Sequence, residues 1–134
     1  MFGKYENTAY FKAVFRAALD KCRIHTELRK HYKAGDRAWL EHFAHDEIPR
    51  IIADFEALKE LHYAQWRRDY KPQGLERLML RYGGAIERLR HTAKIIEEYL
   101  RGDVAAIDEL EPELIQGEKA KWLSAQAVMH VSVN

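Results

Sequence analysis

Between Asn7 and Arg101 the chain has only three places that break a helix: "KAGD" at 33–36, "DEIPR" at 46–50 and "DYKPQG" at 69–74. Elsewhere in that span apolar residues recur every three or four positions, the period of an amphipathic helix. Three or four long rods joined by short corners can bury such stripes only by packing antiparallel. The sequence therefore predicts an all-α, up-down helical bundle of three to four main helices in a single domain over 1–134.

In the first run, Phe11, Val14, Phe15, Ala18, Leu19 and Cys22 define the expected inward face, and Leu28 and Tyr32 extend it. Asn7 or Thr8 can cap its start, and Gly35 suits the left-handed residue that ends a helix. A second helix is expected from Asp36 with Trp39, Leu40 and Phe43 inward. Pro49 admits two readings. Asp46 caps a new helix with Pro49 in its first turn, or one kinked helix runs from 36 to 70. Ile51, Ile52, Phe55, Leu58 and Leu61 carry the face onward, with Trp66 as a possible extension, until Pro72 disfavours helical geometry at Lys71.

A further helix is expected from Leu75 to Arg101, with Leu78, Met79, Ile86, Leu89, Ile96 and Leu100 inward and Gly102 at its end. Asp103 can cap a short fifth helix in "DVAAIDELE". Pro112 and Gly117 mark an irregular stretch, and the tail "AVMHVSVN" alternates like a strand, so it is expected extended or docked.

Charge and cysteine narrow the function classes. The formal net charge is +1, distributed in alternating blocks. Lys+Arg against Asp+Glu runs 8 to 3 over 1–35, 3 to 7 over 36–62, 9 to 5 over 63–101 and 2 to 6 over 102–134. Such blocks suit helices that attract one another, and they argue against nucleic acid, which draws concentrated positive charge. The single cysteine, Cys22, excludes an internal disulfide and points to a reducing, cytoplasmic setting. No apolar run reaches the roughly 18 residues of a membrane span.

The chemical motifs are sparse. "EHFAHDE" at 41–47 places His42 and His45 three apart, which makes them the only weak metal candidates, without a Cys/His zinc spacing or a set of carboxylates from other helices. Ser124 and Ser132 lie outside any nucleophile turn, and "RYGGAI" lacks the strand and the Lys-Ser/Thr of a phosphate loop. Nothing asks for a cofactor, and the chain by itself does not read as an enzyme.

The distinctive residues cluster at 63–84, "YAQWRRDYKPQGLERLMLRYGG". Gly83 and Gly84 inside a helix cost about 1 kcal/mol each relative to alanine. Close approach of another backbone or a ligand would offset that. Trp66, Tyr70 and Tyr82 offer flat surface, and Arg81 and Arg88 offer forked donors on one side of the helix. The alternative is a packing corner with Trp66 over Gly83. Trp66, Tyr70, Lys71, Arg81, Tyr82, Gly83, Gly84 and Arg88 are the candidate interface or pocket-rim residues.

At these positions the sequence resembles the C-terminal helical domain of certain bacterial β-N-acetylhexosaminidases of glycoside hydrolase family twenty. That group carries Gln-Trp, then Lys-Pro-Phe-Gly-Phe-Glu, then Arg-x-Gly-Gly and a helix with Arg-Leu. Gln65, Trp66, Lys71, Pro72, Gly74, Glu76, Arg81, Gly83, Gly84, Arg88 and Leu89 match, with Tyr99, Leu100, Gly102 and "ELE" at 109–111 in continuation. The two family aromatics are replaced by Gln73 and Leu75.

The resemblance implies a longer enzyme with a catalytic (β/α)8 barrel upstream that removes terminal β-linked N-acetylhexosamine. An adjacent Asp-Glu pair there would serve substrate-assisted catalysis. Asp46-Glu47 is not that pair: it reads as a helix start, and 134 residues cannot form a barrel of about 250. The expected partners are the barrel domain and a second subunit. A stand-alone helical module binding protein or nucleic acid is the other reading.

Overall fold

The computed structural model describes residues 6–112, and the expected strand-like tail lies outside them. Helix α1 spans Glu6–Lys33, α2 Arg37–His42, α3 Ile48–Asp69 and α4 Leu75–Arg101. A π-helical turn, Phe43–Glu47, joins α2 to α3, and a 3-10 turn follows at Asp108–Leu110. The fold is all-α, and among the described residues no helix is long and apolar enough to cross a membrane.

The second of the two readings of Pro49 is the observed one. His42, Phe43, Glu47 and Ile48 all keep right-handed helical dihedrals, so α2, the π turn and α3 form one rod. Proline lacks an N–H, and its ring crowds the carbonyl four residues back. The chain accommodates it by widening one turn, with the Ile48 N–H reaching the carbonyl of Phe43 five residues earlier. Asp46 and Glu47 therefore lie inside a helix and do not start one. Asp46 accepts from His42 across the turn (2.9 Å).

The rod is central, with α1 and α4 packed against it. Leu40, Phe43, Ala44, Ile48, Ile51, Phe55 and Leu58 supply its buried stripe, facing Ala17, Leu28 and Tyr32 of α1 and Ile86, Leu89 and Ile96 of α4. Gly35, at φ +68°, ends α1 as expected. Its N–H reaches Tyr32 and that of Asp36 reaches His31, both at 3.0 Å. Asp36 then caps α2 by accepting from the Trp39 N–H (3.1 Å). That bond, helped by His31, holds its carboxyl below the usual range. His31 stacks on Trp39, and Trp39 on Phe43, locking the corner.

Helix α1 is rotated from its expected pose. Phe11, Phe15, Ala18, Leu19 and Cys22 face outward, while Tyr10, Val14, Ala17, Ile24, Leu28 and Tyr32 pack inward. Two apolar stripes compete in this helix, and charges on the rod decide between them. Asp20, only 3% exposed, pairs with Arg50 of α3 (2.9 Å), Arg16 with Asp54 (3.1 Å), and Arg23 lies 3.8 Å from Glu47. Only the inward stripe leaves these charges facing their partners, and small Ala17 allows the helices to meet. Asn7 and Thr8, expected as caps, both fall inside α1 as described, after its first residue Glu6. Met79, expected inward, is exposed on α4.

The short fifth helix shrinks to the 3-10 turn. Asp103 does not cap it, and its carboxylate takes the Arg101 Nε instead (2.8 Å). Ile107 is buried and its N–H donates to the Tyr32 hydroxyl (3.0 Å), which stretches the chain across α1. Tyr32 in turn donates to Glu111, and Arg29 donates to the carbonyls of Leu110 (3.2 Å) and Pro112.

Candidate functional site

The α3–α4 corner is built around Trp66. Its indole N–H donates to the Lys71 carbonyl (3.0 Å), and its ring leans on Tyr70 with centroids 4.7 Å apart. The far edge of the indole covers Gly74, where a Cβ would sit 3.1 Å from Cζ2. Gly74 also has φ +92°, so two constraints exclude a side chain there. Trp66 thus packs on Gly74, not over Gly83 as the corner reading had it. The turn matches "KPQG" because Pro72 fixes one residue and glycine supplies the left-handed one.

Tyr82 points the other way, into a cluster shared by three helices. Its hydroxyl lies 2.9 Å from His62 Nδ1, Tyr63 meets its ring edge-on, and Tyr10 of α1 covers His62. Burial pushes the Tyr82 phenol up to about 12 and lowers His62 below its ordinary 6.5. Both shifts suit a neutral imidazole accepting at Nδ1 from the Tyr82 O–H. Because the unfolded chain takes up the proton first, the stability linked to His62 is complete above 6.5. It is lost as pH falls toward the lowered folded value. A histidine-proton NMR titration should place the His62 midpoint below 6.5; a midpoint above it would contradict this burial.

The remaining candidates do not converge with these. Arg81 and Gly83 are exposed and Gly84 is half-exposed, with nothing within 4 Å of a Cβ placed on either glycine. Within the described residues no backbone approaches the pair. Arg88 is half-buried on the side facing α1, close enough for its charge to add to the burial that lowers Lys21. The glycines accordingly predict opposite outcomes. Gly83→Ala should raise the isolated chain's stability by up to about 1 kcal/mol, whereas Gly74→Ala should lower it by about 1–2 kcal/mol. Urea denaturation distinguishes them, and equal signs would refute the assignment.

His42 and His45 do not form a pair. His42 bonds Asp46, and His45 lies 3.7 Å from Glu97 of α4. Among the described residues no three His, Cys, Asp or Glu side chains gather as a metal-ligand set. Cys22, expected in the packed face, is exposed. A crevice lined by Asp20, Arg23, Glu27, Trp39 and Glu47 holds little more than a water molecule.

Two features escaped sequence reasoning. One is the carboxylate set around Arg50, of which the i,i+4 spacing of Arg50 and Asp54 was the visible trace. The other is the outward apolar residues Phe11, Phe15 and Leu19 on α1 and Leu80 on α4, whose orientation depends on how each helix is rotated.

A family model for the glycoside hydrolase 20C C-terminal domain matches residues 6–129, nearly the whole chain, and extends the resemblance well beyond the stretch around Trp66. A comparison with curated proteins finds no match. The chain belongs to the glycoside hydrolase 20C C-terminal domain family, an accessory domain associated with the catalytic domain of the same enzyme.

Proposed function

We propose that this domain serves a β-N-acetylhexosaminidase by packing against its catalytic barrel and by bringing two copies of the enzyme together. The chemistry, removal of a terminal β-linked N-acetylhexosamine, belongs to the barrel. The observation that carries the packing role is the outward stripe of α1. Phe11, Phe15 and Leu19 repeat every four residues, so they line one side of the helix over about 12 Å. All three are exposed, Phe15 at 72%. A row of large apolar side chains of this kind marks a contact surface. It stands near the start of the family match, where a C-terminal domain of this family is joined to what precedes it. The Trp66–Tyr70–Lys71 corner and Arg81 are the second contact region in this reading. The exposed thiol of Cys22 suits a reducing, cytoplasmic setting.

The test is immunoprecipitation from a lysate of the source organism with an antibody to this chain. The precipitate should hydrolyse a chromogenic N-acetyl-β-glucosaminide or galactosaminide, and the reactive band should be several times larger than 15.8 kDa. A 15.8 kDa band in an inactive precipitate would overturn the proposal.

A further inference from the structure

Helix α1 meets the rod across a polar crevice beside Asp20. Asp20, Arg23, Glu27 and Glu47 line it, with Ile24 and Trp39 among its walls. The volume open to the centre of a water molecule is about 10 Å3, room for one water and nothing larger. Two contacts of the lining residues have hydrogen-bonding capacity to spare. Asp20 is 3% exposed, and its Oδ1 accepts from Arg50 (2.9 Å), whereas its Oδ2 has no hydrogen-bond partner among the described residues. A buried acceptor without a donor bears its full desolvation cost, so Oδ2 calls for a group that supplies a proton. The Arg23 guanidinium and the Glu47 carboxylate stand 3.8 Å apart, attracted but too far for a direct hydrogen bond. A water can share such a gap, accepting from the one and donating to the other.

We infer that this crevice is a binding site for one internal water molecule, which donates to Asp20 Oδ2 and to the Glu47 carboxylate and accepts from the Arg23 guanidinium. Three partners is the usual number for a buried water. The chemistry of the wall selects water over other small species. Arg50 already neutralises Asp20 and Glu47 by direct bonds, and Arg23 adds a second positive charge, so a further cation gains little. Among the described residues no three His, Cys, Asp or Glu side chains gather as a metal-ligand set. An anion would meet carboxylates, and an apolar group would leave Oδ2 bare. Water alone donates to two carboxylates and accepts from a guanidinium at once. The site explains how Asp20 can fix the rotation of α1 while buried: one carboxylate oxygen is served by Arg50 and the other by the water. It stands whether or not the hydrolase reading holds.

High-resolution crystal structures of the full 134-residue chain, grown once from lithium and once from ammonium salts, test the site directly. Both should show one peak within about 2.5–3.2 Å of Asp20 Oδ2. Oxygen-17 relaxation dispersion then reads the same molecule in solution as a long-lived water. Arg23→Met removes one of its three bonds, and the long-lived population should fall by one water. The Arg23 side chain is 58% exposed, so circular dichroism should show this variant folded. Arg16→Met is the control. Arg16 has similar exposure and pairs with Asp54 outside the crevice (3.1 Å), so its loss should leave the water in place. A crevice without density in both crystals would overturn the inference. A peak present only with ammonium would overturn it too, by making the occupant a cation. So would a relaxation signal that Arg23→Met leaves unchanged, or one that Arg16→Met abolishes equally.

Discussion

Alanine at Arg50 is expected to destabilise the domain by about 3 kcal/mol, the lower end for breaking a buried ion pair, since a third of its side chain meets solvent. Arg50 stands at the centre of three carboxylates. One Nη donates to Asp20 (2.9 Å) and Glu47 (3.1 Å), the other to Asp54 (2.8 Å). Asp20 decides the size of the effect. It is almost wholly buried, and its Oδ2 has no hydrogen-bond partner among the described residues, so Arg50 supplies its compensating charge. The Asp20 hydrogen bond in turn holds the guanidinium more firmly protonated than usual.

Without Arg50 a carboxylate would be left desolvated between two helices. An exposed pair such as Lys30–Glu27 (3.5 Å) offers no comparable effect and should be worth well under 1 kcal/mol. Replacing both Asp20 and Arg50 by apolar residues of similar volume should recover most of the loss, because the cost lies in the orphaned charge. Urea unfolding of the three variants measures this. A loss below about 0.5 kcal/mol for Arg50→Ala would mean that Asp20 is not held as described.

Leu40→Ala should cost about 3–4 kcal/mol, the range for emptying a filled core site. Leu40 is completely inaccessible and stands just before the π turn, where all three rods converge. Little can collapse into the gap, because Trp39 is stacked between His31 and Phe43 and cannot follow. For a domain of this size the melting temperature should fall by roughly 15 °C. Phe15→Ala removes more carbon atoms, yet in the isolated chain it should change stability by no more than about 0.5 kcal/mol, because the ring is already in water. The comparison tests the rotation of α1. A large loss from Phe15→Ala would put that residue back in the core.

The contrast shows what the residues alone could convey. Helix spans were legible because breakers are few and unambiguous. Gly35, Pro72 with Gly74, and Gly102 act through local backbone geometry, which needs no knowledge of neighbours. The rotation of α1 was not legible, because Phe11, Phe15 and Leu19 make as good a stripe as Val14, Ala17 and Leu28. The choice rests on Asp20 finding Arg50 thirty residues away. Pro49 failed as a signal for the same reason. A proline has two local solutions, a cap or a widened turn, and packing along the whole rod chose the second. Of the candidate site, the Trp66–Lys71–Gly74 corner was visible because its parts are close in sequence. Trp66 was paired with the wrong glycine because Gly83 stood out in sequence and Gly74 did not.

The strap formed by Tyr32 and Arg29 has a consequence for how the domain can be connected. Arg29 holds the carbonyl of Pro112 beside the C-terminal half of α1, whereas Glu6 lies at the other end of the same helix. Twenty-three helical rises separate the two attachment points by about 35 Å. Within the described residues, Glu6 and the Pro112 carbonyl held by Arg29 therefore stand toward opposite ends of α1. A circular permutant joining these points would need a linker of about ten extended residues, and a shorter one would have to tear the strap away from Tyr32.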